Sequence, residues 1–389
     1  MDVVISAAGV VSGAGSSRAG FKQGLRTARS NRQILPAEPP ITTASYEAIK
    51  VVDFDPVATL GKKGLQFLPN VTKMLLVAVV EALREAQLDD DRNGDELGVV
   101  VGTNFAGLNS IARYDWTVIT DGPSFVSPME APNTLANAPA SHLSIRFTAR
   151  ALNTTIATGR CASLDALGYA GEVLQLGQAK SIVAGAVEEI NAYTLWQYAD
   201  LGLNSETVKP GEGAAVFVLE SAGRALNRSV KPLARLAGWS NYLAPRERPV
   251  EAISNACQLA LRQAGVSVDE ISLVGIGVNN DAENDEILST GVARLFAESA
   301  SASPKVPAFT TKGLTGETYS VSGGLLVAAV LDAMEDRILP PSTNVIARSW
   351  PAPLEFMDHS SAWSPGAALV VESDRLAGAS AVVLLPFAS

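Results

Sequence analysis

Side chains able to act as nucleophile or general base near neutral pH are scarce in this chain. Its 389 residues include two cysteines, Cys161 and Cys257, and two histidines, His142 and His359. A thiol becomes a useful nucleophile when a neighbouring cation or imidazole lowers its pKa and backbone N–H groups face the developing charge. Cys161 comes nearest to that arrangement. It follows Thr158-Gly159-Arg160 and heads a small-residue run from Ala162 to Leu176, so the stretch reads as an apolar approach, a sharp turn and a buried helix. A helix start and an adjacent guanidinium both favour a thiolate. No histidine stands beside it in sequence, and His359, within Met357-Asp358-His359-Ser360, reads as a loop residue. The cysteines form neither a disulfide framework nor a metal-ligand spacing, so no metal or cofactor is expected. Gly211-Glu212-Gly213 is too short for a phosphate loop and reads as a tight turn before a strand.

Elements that would hold such a turn can be read from the apolar pattern. Val3–Ile5, Val99–Val101, Ser181–Ala184, Ala214–Glu220, Leu273–Gly277, Ala368–Val371 and Ala381–Leu385 are expected as buried strands. Val71–Ala86, Ala162–Leu176, Val250–Ala264 and Gly323–Asp336 are expected as helices. This alternation predicts an α/β protein with mostly parallel sheets covered on both faces. Residues 29–50, with Pro36, Pro39 and Pro40, read as a surface excursion, and a weaker break falls near 222–235. Each side of that break carries a similar device. Thr158-Gly159-Arg160 leads into one small-residue helix, and Thr315-Gly316-Glu317 leads towards another, which points to an internal duplication.

Hydrophobic residues make up 47% and charged residues 18%, which suits a packed globular protein and excludes a disordered one. The net charge of −10 and the lack of a Lys/Arg-rich run argue against nucleic acid or an anionic membrane as partner. No apolar run reaches the length of a membrane span and the first residues lack a basic leader, so a soluble cytoplasmic protein is expected.

Several pieces, in order and spacing, resemble the β-ketoacyl synthases. They are Val3 to Ser12, Gly122 to Ser127, Ser141 to Ile145, Leu164 to Gly168, Gly211-Glu212-Gly213, Thr311 to Gly316 and Pro340 to Asn344. The chain is most similar to the chain length factor, the non-condensing ketosynthase β subunit of type II polyketide synthases. This resemblance implies a thiolase-like, five-layered αβαβα fold with two pseudo-duplicated halves, 1–228 and 229–389. In ungapped register Arg160 takes the place of the nucleophilic cysteine, and Cys161 falls one position late, pointing into packing. The first family histidine would follow Leu273–Val278, where Asn279-Asn280-Asp281 stands. The second would follow Thr315-Gly316, where Glu317 stands, while Lys312 is retained. His142 matches a family position outside the catalytic trio and is expected to be structural. Decarboxylative condensation needs a thiolate and two neutral imidazoles. The matched residues Arg160, Asp281, Glu317 and Lys312 therefore imply a vestigial site, with Arg160 paired to Glu317, Asp281 or both.

The same resemblance implies a heterodimer with a catalytic ketosynthase. The acyl carrier protein would be engaged indirectly through that subunit, and this chain would shape the end of the tunnel that holds the growing polyketide. Residues 108–119 form a helix whose apolar spacing by itself predicts an ordinary core-facing stripe. In a chain length factor the matching helix blocks the partner's tunnel. The gate residues would then be Leu108, Ile111 and Asp115, with Tyr114 and Trp116 adjacent and Phe125 and Met129 close by. Two departures stand out: a shortened stretch 201–211, and Arg375 to Ser380 in place of the family's Gly-Phe-Gly turn. Rival expectations are an autonomous acyltransferase or malonyl decarboxylase using Cys161, and a homodimeric acyl-binding pseudoenzyme.

Overall fold

Ten of the strands form two sets of five with one wiring. The computed structural model describes all residues except 1, 39–40, 42–43, 89–90, 201–206, 298–304, 346–349, 375–377 and 388–389. In the first set are β1 (Val3–Ser12), β2 (Leu97–Gly102), β3 (Asn153–Ile156), β4 (Ser181–Glu188) and β5 (Gly213–Ser221). The second set holds β6 (Ala234–Leu243), β7 (Ile271–Ile276), β8 (Val306–Phe309), β10 (Ala367–Asp374) and β11 (Gly378–Pro386), with a short β9 (Leu354–Phe356) added at the edge. Across the sheet the order is β9-β8-β7-β10-β11-β6-β1-β5-β4-β2-β3. Counted outward from the centre, each set runs first, fifth, fourth, second, third. The halves meet where β1 pairs antiparallel with β6, Val4 opposite Arg235 and Ile5 opposite Ala234.

The sheet is mixed, not mostly parallel as expected. In each half the first, fifth and fourth strands pair antiparallel, and the fourth, second and third pair parallel. Every residue of β1, β2 and β4 is buried. A strand covered on both faces reads as a continuous apolar run whichever way its neighbour points, so hydropathy could not report direction. Three of the ten strands in the two sets escape the apolar pattern for local reasons. Arg235, Ser240 and Asn241 interrupt β6, β3 is mostly polar, and β8 carries Pro307. Residues 29–50 are not merely an excursion. Arg32–Leu35 and Tyr46–Ile49 form a hairpin whose Ala48 and Ile49 are buried.

Helices make the other layers. Asn70–Glu85 (α1) covers the outer face of the first half, packing Val71, Met74, Leu75 and Val79 on β1 and β5. Pro249–Ala264 (α4), backed by Ala282–Ala297 (α5), covers the second half. Between the halves lie Ala162–Gln175 (α3) and Ser322–Asp336 (α6), which touch each other and strands of both halves. The result is five layers, αβαβα, the thiolase-like arrangement. Small residues permit it: a Cβ on Gly168 or Gly171 would stand 2.8 Å from the Trp239 ring of β6. The remaining helix of importance is α2 (Leu108–Thr120), which leaves β2 through Thr103–Gly107 and carries no buried residue.

Each central helix is entered through one short turn. Gly159–Cys161 precedes α3 and Tyr319–Val321 precedes α6; each follows a threonine, Thr158 or Thr318. The first residue of each turn is left-handed, Gly159 at φ 64° and Tyr319 at φ 51°. The mirrored device thus lies three residues later than the Thr315-Gly316-Glu317 expected from sequence, because residues 312–315 form a small helical turn of their own. Among the described residues no helix is long and apolar enough to cross a membrane.

Candidate functional site

Arg160 is 1% exposed, at the middle of the turn between β3 and α3. Gly159 makes the turn possible: it holds a positive φ, and a Cβ there would meet Asp374 Oδ2 at 2.1 Å. The Arg160 backbone N–H donates to that same Oδ2 at 3.3 Å. Its side chain reaches inward, placing Nε 3.2 Å from Glu317 Oε2. Glu317 is shared. Lys312 Nζ lies 3.3 Å from Oε2, the Asn279 amide donates to Oε2 at 2.6 Å, and the Tyr319 N–H and Ser322 hydroxyl donate to Oε1 at 2.9 and 3.1 Å. On its other side Lys312 stands 3.0 Å from Glu372 Oε1. Two cations and two carboxylates, all buried, interlock at the junction of the halves.

Burial alone would raise the Glu317 pKa, but Arg160 and Lys312, with the Tyr319 and Asn279 donors, outweigh it and hold the carboxylate well below its usual range. For Arg160 burial opposes the charge, while Glu317, Glu372 and Asp374 more than restore it, so its pKa moves up. Glu372 goes the other way: burial raises its pKa against the pull of Lys312 and Arg160. The cluster therefore holds Arg160 as a permanent guanidinium, a group that cannot act as a nucleophile.

The neighbouring thiol is no substitute. Cys161 is 3% exposed, and its Sγ faces the carbonyls of Glu372 and Gly378 at 3.6 and 3.9 Å, the orientation of an S–H donor. Burial, then Asp165, pushes its pKa well above that of a free thiol. Burial first, and Asp165 in the first turn of α3 second, outweigh the lowering expected from an adjacent guanidinium and a helix start. Cys257 is buried in α4, pushed up to about 12 by burial. Neither histidine bonds to the cluster. His142 Nε2 lies 3.0 Å from Asn133 Oδ1, and the exposed His359 pairs with its neighbour Asp358 at 2.6 Å.

Asp281 requires a correction. The carboxylate of Asp285 accepts the N–H groups of Asn279 and Asn280 at 2.8 and 2.9 Å, and Asn280 turns left-handed at φ 70°. The chain after β7 is thereby folded so that Asn279, not Asp281, enters the cluster. Asp281 is half-buried at the head of α5, accepts the Asn284 N–H at 3.4 Å, and borders a cleft of about 340 Å³ with Arg246, Glu283 and Asp374. A second cleft of about 440 Å³ runs past Thr158, Gly159, Cys161, Tyr319 and Ser380.

The helix expected at 108–119 is present, but it faces outward, so the core-facing stripe is overturned. Leu108 and Tyr114 are half-buried; Ile111, Asp115 and Trp116 are exposed, as are Phe125 and Met129 in the loop beyond. Ile119 is 77% and Phe125 72% exposed. The polar strand β3 ends the sheet at the edge of the chain's first half. Sequence reasoning missed Asn279, Glu372, Asp374, Tyr319 and Glu188. A signal existed for two of them: Glu188 and Glu372 each close an apolar strand run with a carboxylate, where the strand emerges at the centre of the molecule. Of the two departures from the family pattern, residues 201–206 and 375–377 lie outside the described part.

Strands wired twice in this order around two central helices define the thiolase fold. The sequence matches the β-ketoacyl synthase N-terminal domain over residues 1–225 and the β-ketoacyl synthase C-terminal domain over 241–346. The chain belongs to the β-ketoacyl synthase family. It is 27% identical to a 3-oxoacyl-[acyl-carrier-protein] synthase 2 of Vibrio harveyi, covering 76% of each chain, and 26% identical to a putative polyketide β-ketoacyl synthase 1 of Streptomyces halstedii, covering 88% and 87%. Among solved structures, the ishigamide ketosynthase/chain length factor superposes with a TM-score of 0.87 at 21% identity over 100% of this chain and 99% of that one. A type II polyketide synthase acyl-carrier protein in complex with its ketosynthase gives 0.84 at 20% identity over 99% of each.

Proposed function

We propose that this chain is a non-condensing partner of a catalytic ketosynthase, similar to a chain length factor, and that it shapes the far end of that partner's acyl tunnel. The observation that carries the reading is the buried Arg160–Glu317 pair at the head of α3. A thioester needs a nucleophile there, and enolate stabilisation needs neutral imidazoles opposite; this chain offers a guanidinium, an amide and a carboxylate. An outward helix, α2, with Ile111, Trp116 and Ile119 exposed, supports a protein partner covering that helix. The partner is a ketosynthase subunit; carrier protein delivers the growing polyketide through it, and this chain contributes volume, not charge, at the tunnel end.

Co-expression with candidate ketosynthases tests this. A stable heterodimer that condenses only as the pair is expected, and Leu108→Ala or Ile111→Ala should lengthen the product. Product lengths that ignore both substitutions would remove the gate; a thioester trapped on Cys161 of the isolated chain would restore the acyltransferase reading.

A further inference from the structure

Glu188 ends β4, is completely buried, and meets no cation among the described residues. Its Oε1 accepts the Asn104 N–H at 2.6 Å and the Ser320 hydroxyl at 2.7 Å; its Oε2 accepts the Phe105 N–H at 3.2 Å and the Thr103 hydroxyl at 3.3 Å. Three of these donors lie on the short connection from β2 to α2, and the fourth on the turn before α6. The connection also reaches the other turn. Asn104 donates from Nδ2 to the Gly159 carbonyl and accepts at Oδ1 from the Gly159 N–H, both at 3.1 Å. Phe105 packs at a tilt against Tyr319 with ring centroids 5.0 Å apart and meets Tyr198 edge-on at 5.5 Å.

Beyond this root α2 has little to hold it. It buries no side chain and rests on the loop that follows it and on residues 192–200. A helix without a buried face takes its direction from its anchors. We infer that Glu188 is the positioning residue for α2: its carboxylate ties the root of that helix to the turn before α6, and through Asn104 to the turn that bears Arg160. The exposed helix and the buried charge cluster are thereby one mechanical unit. The chemistry is specific to an ionised carboxylate, so hydrogen exchange is to be read above pH 7. A carboxamide offers an acceptor on one atom only and sets an N–H₂ against a backbone N–H on the other, and an aspartate is a methylene too short to span both sides.

Hydrogen exchange on the full chain reads the anchor directly. Glu188→Gln should speed exchange of residues 104–120 by about tenfold, the weight of one lost buried hydrogen bond, while α1 and α4 stay within about twofold of the wild type. Glu188→Asp should fall between. Ser320→Ala removes only the tie to the second turn and should loosen the same segment by about threefold; it decides the matter if Glu188→Gln does not fold. Unchanged exchange at 104–120, or acceleration spread evenly over the fold, would overturn the assignment. A second arm rests on the proposed function: in the heterodimer, Glu188→Gln should broaden the product-length distribution. Faster exchange with unaltered products would leave the anchor standing and count against the tunnel role of α2 alone.

Discussion

The two halves build the same five strands and the same helix-heading turn, yet only one turn carries a charge. In the first half Thr158-Gly159-Arg160-Cys161 places a guanidinium inside; in the second Thr318-Tyr319-Ser320-Val321 places a hydroxyl there. Each turn is served by a glutamate from the opposite half. Glu188, ending the fourth strand of the first half, holds Ser320. Glu372, near the end of the fourth strand of the second, faces the Cys161 thiol with its carbonyl and acts on Arg160 with its carboxylate. A hydroxyl is satisfied by one acceptor. A buried guanidinium pairs with Glu317 and also feels the charges of Glu372 and Asp374, while Lys312 bridges Glu317 and Glu372. The same turn geometry thus carries either a hydroxyl or a cation, and only the cation is met by a network of charges.

The largest test of that contrast removes the arginine. Arg160→Met should destabilise the chain by about 3–5 kcal/mol in urea unfolding, since Glu317 is left in the interior with Lys312 alone. Adding Glu317→Met should recover only part of the loss, because the unpaired carboxylate is gone but Asn279, the Tyr319 N–H and Ser322 lose their acceptor. If Arg160→Met unfolds with the wild type, the cluster is not held by that cation. No comparable loss is expected from Ser320→Ala, where only one hydrogen bond of about 1 kcal/mol goes.

A smaller effect separates the backbones of the turns. Both Gly159 and Tyr319 are left-handed, so alanine should be worse than glycine at either place by about 1 kcal/mol. Only at 159 does a Cβ also meet a carboxylate, Asp374 Oδ2 at 2.1 Å. Gly159→Ala should therefore lose about 2–3 kcal/mol, more than the difference between Tyr319→Ala and Tyr319→Gly. Equal differences at the two positions would mean that the charged surroundings add nothing to the turn.

Much of this contrast was legible before any coordinates. Arg160, Glu317 and Lys312 could be singled out because the resemblance to the β-ketoacyl synthases matches them position by position. The long apolar runs gave α1, α3, α4 and α6 within two residues. What stayed hidden depends on contacts made at long range. Asn279 displaces Asp281 because Asp285, six residues ahead, bends the loop by its own hydrogen bonds. Glu372 and Asp374 join only when the second half folds over the first. Strand direction was hidden because burial on both faces erases the period-2 signal. The outward face of α2 was hidden because apolar spacing looks alike whether a core or a partner will cover it.

The smallest effect is a pH slope, and it distinguishes the two acceptors that serve the turns from the one that pairs with Arg160. Burial outweighs the four donors to Glu188 and raises its pKa from 4.5 to about 7. A carboxyl whose pKa is higher in the folded chain than in the unfolded one stabilises the fold below the lower value, and that contribution is lost as pH rises through the higher. Glu372 and Asp332, the latter raised to about 6 by burial, act in the same direction. Glu317, held low by Arg160 and Lys312, acts oppositely: its contribution is present above about 4.5 and disappears only in strong acid, so it is flat across neutrality. Unfolding free energy should then fall between pH 5 and 7.5. Glu188→Gln should flatten that fall by a fraction of about 1.4 kcal/mol per pH unit, the limit for one proton. Glu372→Gln should flatten it further, while Arg160→Met should change the height of the curve in this window more than its slope. A slope untouched by Glu188→Gln would mean that this carboxyl is already ionised in the fold at pH 5, and that its donors, not its burial, govern it.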